Sequence, residues 1–296
     1  MGLSAKASAS RAVVSTLALG LPLGSIILSS GVALAEAPPD ESAIIRRVLE
    51  IARSSSKPAT KPMVTTPQTP PVGSLSRLAD QLSKTSSPKR LAQLADEFAR
   101  AVGSTRRRDI VDIYDAIRRI RKNAAAVTAF ESAYEVAQEG SIDRRLLVLQ
   151  IIGEMRQPNS LQFLRGVAWK PLPPKQEGAE LTSRREYEEM IEAAAVEAIA
   201  YIRDAKDDPS EQAVSETLAV AAGHESHAVR LAAIDAYVWN YGDDAAHLGE
   251  LRRRLPPDSQ RYVEMPRFHR GASGAKFAKD VLDWRQKWVP EEGDLK

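Results

Sequence analysis

Residues 228–255 read AVRLAAIDAYVWNYGDDAAHLGELRRRL, and this stretch decides the architecture. Apolar residues recur at helical spacing over 227–241 and again over 244–255, with Gly242-Asp243 supplying the turn between the two runs. Three earlier segments can be laid over its first helix. IVDIYDAI (110–117), RLLVLQII (145–152) and EAAAVEAI (192–199) align with RLAAIDAY (230–237), placing Ile117, Ile152, Ile199 and Tyr237 at the matching position. Successive offsets are 35, 47 and 38 residues. The long offset contains KPLPPKQEGAELT (170–182), a proline-rich stretch that reads as an inserted loop. Removing about ten residues from it makes the spacing regular, and self-similarity of this length in a helical chain marks a stacked repeat.

Outward from that unit the same periodicity continues. It predicts short helices over LSRLADQLSK (75–84) and KRLAQLADEFARAV (89–102). It then predicts the pairs 108–122 with 124–138, 143–155 with 159–169, 186–203 with 210–222, and 227–241 with 244–255. A last helix over 275–289 follows an irregular segment. No stretch alternates with period two between hairpin turns, so strands are not expected. The fold expected is all-α: a right-handed α-solenoid of about four to five stacked helical hairpins, each unable to hide its apolar faces alone. Phe277, Val281, Trp284 and Trp288 fall on one stripe of the last helix, which suits a cap on the open end. Trp239 is expected in the core.

The 228–255 unit resembles the HEAT-repeat family, with armadillo-like solenoids as near neighbours. Val229-Arg230-Leu231-Ala232-Ala233 is similar to the family's V-R-x-x-A helix opening, and Gly242-Asp243 with Leu248 and Leu251 to its turn into the second helix. A second, looser match runs over Arg145–Leu164, with Gly153, Pro158, Leu161 and Leu164 at similar offsets. His227 stands where the family often has proline, and Glu192 where the neighbouring units have arginine. The resemblance implies a helical-repeat domain over 74–289, and members of the family are mostly binding scaffolds.

The amino terminus reads differently. Lys6 and Arg11 precede an uncharged run from Ala12 to Ala35 that closes on Ala33-Leu34-Ala35. Basic start, apolar middle and small residues at the cleavage positions predict a secretory signal peptide over 1–35. A retained membrane anchor is the rival, weakened by Gly20, Pro22, Gly24 and Gly31 within the run. Residues 36–53 contain a short amphipathic helix, with Ile44, Ile45, Val48 and Leu49 on one stripe. Residues 54–73 hold 12 Pro, Ser or Thr among 20 and read as a disordered linker, and 290–296 as a flexible tail.

Composition narrows the functional classes. The chain has no cysteine, which excludes disulfides, a thiol nucleophile and thiolate metal sites. Export without cysteine or an N-x-Ser/Thr site predicts a bacterial periplasmic or extracellular protein. The 41 basic and 39 acidic residues nearly cancel, so no global field favours nucleic acid. Charge is instead banded along the chain: net +6 over 77–122, −8 over 177–216 and +5 over 250–287.

No serine signature or phosphate loop is present. In His224-Glu225-Ser226-His227 the histidines are three apart, not four, and precede a helix, so the sequence predicts a solvated loop rather than a metal site. Glu188, Glu189 and Glu192 read as solubilising carboxylates on an exposed helix. The expectation is therefore a monomeric, non-enzymatic scaffold without metal or cofactor. It binds a macromolecular partner, most simply a protein and not nucleic acid, with no integral membrane segment once the signal is removed. Candidate contact residues are Trp169, which opens the inserted loop, and the dense cations Arg118, Arg119, Arg121 and Lys122. An enzyme acting on a cell-wall or small-molecule substrate in a helical cleft is the alternative.

Overall fold

A computed structural model describes residues 73–104, 110–137, 142–174, 183–267 and 274–288. The expected signal peptide, the 36–53 helix, nearly all of the linker, the Arg106–Arg108 run, residues 175–182 of the loop and the 290–296 tail lie outside the described residues. Among the described residues every regular element is helical, apart from an isolated bridge between Arg203 and Pro209. The α-helices are α1 (Gly73–Lys84), α2 (Pro88–Ser104), α3 (Ile110–Ile120), α4 (Ala124–Ala137), α5 (Ile142–Met155), α6 (Leu161–Ala168), α7 (Arg184–Ala200), α8 (Glu211–Gly223), α9 (His227–Tyr241), α10 (Ala245–Arg254) and α11 (Gly274–Trp288). Short 3₁₀ turns occupy Pro158–Ser160 and Gln260–Glu264, the second inside a segment expected to be irregular.

Local sequence explains the helices. In α1, Leu75, Leu78, Ala79 and Leu82 recur at the spacing that puts one stripe inward, and all are buried. In α2 the stripe is Leu91, Leu94, Ala95, Phe98 and Val102. Caps fix the starts. Ser183 and Glu186 form a reciprocal capping box on α7, Ser226 accepts from Val229 N on α9, and Asp244 accepts from Ala246 N on α10. Asn123 caps α4 through Ala125 N at 3.1 Å, while its amide nitrogen donates to Leu82 O and Thr85 O at the end of α1.

The helices stack in two rows. α1, α3, α5 and α7 each pack on the next odd-numbered helix, so the row runs from α1 to α9. The second row runs α2, α4, the first 3₁₀ turn with α6, α8 and α10. Between rows, α4 packs chiefly on α5, α6 on α7 and α8 on α9, so these three lean more on the odd helix that follows than on the one before, whereas α2 and α10 pack on their predecessors α1 and α9. One buried apolar cluster runs unbroken from Leu75 to Val263.

The odd-numbered helices all finish at the same edge. After α3, the Arg121 guanidinium donates to Glu154 O of α5 at 2.6 and 3.2 Å, and Gln157 returns a bond to Arg121 O. After α7, Arg203 N donates to Arg156 O at 3.2 Å, and its guanidinium reaches Ala200 O and Asn240 Oδ1. Tyr241 Oη closes the series on Ala200 O at 2.9 Å. Arg121, Arg156 and Arg203 are separated by 35 and 47 residues, the same offsets found between the overlaid helices. Cations belong here because helix carboxyl ends carry unpaired carbonyls and partial negative charge.

α5 and α7 pack closely at Gly153. A Cβ on Gly153 would lie 2.9 Å from Ala198 Cα, so only glycine fits this face at the observed spacing.

The C-terminal end corrects two details. The described side chains of α11 (276–288) include none that is buried, and Phe277, Val281, Trp284 and Trp288 are only half-covered. The 3₁₀ turn supplies Tyr262 and Val263 to the core, Trp284 alone of the stripe packs against that core, and α11 rests on the turn through Trp284 Nε1 to Arg261 O and Lys287 to Glu264. Trp239, expected in the core, lies on the solvent side of α9 and is 39% exposed.

Candidate functional site

The edge where α7 and α9 begin gathers polar groups that the sequence scatters over 80 residues. α6 ends at Trp169, whose indole Nε1 donates to Glu216 Oε1 of α8 at 2.6 Å. Arg165 Nε lies 3.4 Å from the other oxygen of that carboxylate. The indole stands against the His224 ring, with centroids 5.3 Å apart, and keeps 39% of its surface exposed. Beyond Trp169 the chain is strapped to α7. Lys170 Nζ lies 3.4 Å from Glu188 Oε2, and Arg185 Nη1 donates to Pro173 O at 2.8 Å.

Beneath this strap lies a buried ionic group. Arg145, at the start of α5, makes a two-pronged bond to Glu188 at 2.9 and 3.2 Å and donates to Tyr134 Oη at 2.8 Å. Burial alone pushes the Glu188 carboxyl up. The bonds and charge of Arg145, with Lys170, outweigh it and hold the carboxyl below its ordinary range. The Arg145 guanidinium is likewise raised, since its bonds to Glu188 and Tyr134 outweigh its own burial.

One turn along α7 the balance reverses. Glu192 is 1% exposed, and neither carboxyl oxygen accepts a hydrogen bond. Burial first, then the like charges of Glu188, Glu189 and Glu225, push its pKa from 4.5 to about 8, against a weaker pull from Arg185. His224, 3% exposed, lies with Nε2 3.4 Å from Glu192 Oε2. Its Nδ1 accepts from Ser226 N, so Nε2 carries the proton in the neutral ring. Burial lowers the His224 pKa. The pair is therefore a neutral acid beside a neutral imidazole at pH 7.

Two sequence expectations are overturned here. The His224–His227 segment is not a solvated loop: His224 and Ser226 are buried, and Arg230 clamps the backbone by donating to His224 O at 2.6 Å. Glu188 and Glu192 are not solubilising groups but interior ones. Glu192 occupies the register position held by Arg145 and Arg230 in the neighbouring units. That change between overlaid segments was the available signal.

The candidate contact residues fall at two places. Trp169 is at the edge where α7 begins. Arg118, Arg119, Arg121 and Lys122 are at the edge where α3 ends, about 20 Å away by helix rise. Arg118 is exposed and paired with Asp115 at 3.0 Å; Arg119 reaches Asp80 at 3.3 Å and Ser76 on α1. Arg121 is half-buried in its structural role at the turn, and Lys122 is exposed. No group of three or more His, Asp or Glu side chains able to hold a metal occurs among the described residues. An open groove of about 650 Å³ lies between α6 and α8, bounded by the Arg165–Glu216 pair. No helix among the described residues is long and apolar enough to cross a membrane. Compared with protein-family models, curated proteins and solved structures, the chain matches none.

Proposed function

We propose that the chain is an exported, non-enzymatic scaffold that recognises a protein partner across a right-handed α-solenoid built from the two helix rows. One observation carries this reading. α1, α3, α5, α7 and α9 stand side by side and finish at one edge, so their outward side chains make an unbroken surface. Binding energy on such a surface is spread over several helices and needs no concentrated motif. The repeated turn arginines support the solenoid, because each recurs with the repeat offset. The charge banding supports a partner held in one orientation. Trp169, Arg118, Arg119 and Lys122 contribute contacts, and Arg121 contributes by fixing the turn that presents its neighbours. The 54–73 tether adds a second point of attachment. Export rests on the 1–35 pattern.

The test places a photo-crosslinking side chain at Pro171, at Tyr187 on α7 or at Val136, which is 76% exposed on α4 of the other row. The scaffold reading expects one common partner from Pro171 and Tyr187 and none from Val136. Equal capture from Val136, or no discrete partner from either of the first two, refutes it.

The buried Glu192–His224 pair favours a second reading, an enzyme working in a helical cleft, since paired titratable groups with displaced pKa values mark many active sites. Their near-complete burial speaks for the scaffold, because no substrate reaches them without opening the Trp169 strap. A small molecule that stabilises the wild type but not E192Q would favour the enzyme.

A further inference from the structure

Beyond α4 the second helix row is loosely knit. α6 and α8 each pack firmly on α7 but only lightly on one another. α6 has just 8 residues, and the loop that follows it leaves the row where a regular repeat would continue. The open groove described above is the result. Its size falls in the range of ligand-binding clefts.

The lining is specific in chemistry. Asn159, Gln162, Gln212 and Ser215 offer amide and hydroxyl heads from both sides. These groups donate and accept at once, as sugar hydroxyls do. The one cation of the lining, Arg165, is matched by Glu216 at 3.4 Å, and Glu211 adds an exposed carboxylate, so the groove disfavours a phosphate or a polyanion. No deep apolar pocket is present to anchor a large hydrophobic side chain, the feature on which peptide recognition depends. Next to the lining, though not part of it, the Trp169 indole is tied to Glu216 by a 2.6 Å bond, stands against the His224 ring and is partly exposed. A fixed aromatic face is the complement of the C–H face of a pyranose ring.

We infer that the groove between α6 and α8 binds a neutral carbohydrate chain, with its amide side chains reading hydroxyls and Trp169 forming the stacking rim. The groove lies on the second row and shares Trp169 with the proposed protein contacts, but its glutamines Gln162 and Gln212 are outside that contact set, so their substitutions test the groove apart from that reading. Both sites together would hold a partner against a glycan.

The probes are neutral β-linked glucose and N-acetylglucosamine hexasaccharides, titrated into the full chain by calorimetry and by indole fluorescence. A flexible uncharged dodecapeptide is the competing probe. Saturable binding of at least one hexasaccharide is expected, weakened about fivefold by Q162A and by Q212A, each of which removes a hydrogen-bonding head from an exposed position. V136S, on a distant helix, leaves it unchanged. Circular dichroism melts confirm that the variants stay folded. The inference is overturned if neither hexasaccharide binds saturably at millimolar concentration, if binding is indifferent to both glutamine changes, or if the peptide binds more tightly and displaces the sugar. Loss of crosslinks from Pro171 and Tyr187 bears on the protein partner alone.

Discussion

Replacing Glu192 by Gln should stabilise the protein, and by an amount that grows with pH. In the native state the buried carboxyl keeps its proton up to about pH 8, whereas in the unfolded chain it gives the proton up near 4.5. Folding therefore takes up one proton between these limits. The contribution of Glu192 to stability is fully present below the unfolded value and is lost as pH rises toward 8, at about 1.4 kcal/mol per pH unit. At pH 7 the accumulated loss is about 3 kcal/mol, a large share of a typical domain's stability. Glutamine has nearly the same shape and no proton to lose. Urea denaturation of wild type and E192Q followed by circular dichroism at pH 5, 6, 7 and 8 isolates the effect as the difference between the two proteins. His224, whose lowered pKa costs stability as pH falls, enters both alike and drops out of the difference. A constant offset from repacking would shift all four points together, so the slope is diagnostic. If the difference is flat from pH 5 to 8, Glu192 is ionised in the native state and the neutral-pair account of the site is wrong.

Two further outcomes follow from the packing. G153A should destabilise by about 1–3 kcal/mol despite alanine's better helix propensity, because the methyl group meets Ala198 backbone at 2.9 Å; an unchanged or raised midpoint in urea would mean that α5 and α7 can part freely. R145A should cost about 3–5 kcal/mol, since it strands the Glu188 carboxylate inside the fold without its two-pronged partner; R145A with E188Q should recover part of that loss, and equal single and double losses would refute the coupling.

Much of the helical layout was legible because apolar spacing alone sets it. α9 runs over the same residues as its sequence pattern, and α4 and α5 differ from theirs by one residue at an end. Leaning of α4 on α5, rather than on α3, was not legible, because stripe position says which face is inward but not which neighbour covers it. The buried site was the larger miss. Glu188, Glu189 and Glu192 look alike on a helical wheel as charged residues, and only their neighbours separate them. Arg145 comes from 43 residues upstream to pair Glu188, and His224 from 32 residues downstream to cover Glu192. The overlay of the segments held the clue, in that a carboxylate stood where two of the other three carry a guanidinium. Trp169 was singled out by its place at the mouth of the loop, but its bond to Glu216 required the fold.

The common direction of the odd-numbered helices has a consequence for how such a chain can change in length. On this face no helix cancels the dipole of its neighbour, and compensation comes only from the row behind, about 10 Å away. Each additional helix would bring one more set of bare carbonyls to the finishing edge, and after α3 and α7 an arginine of the following turn answers such carbonyls. At those two places helix, turn cation and returning helix act as one unit. Such an array can gain or shed whole units and stay balanced, but a cut through the middle of one leaves a carboxyl end with no counter-charge.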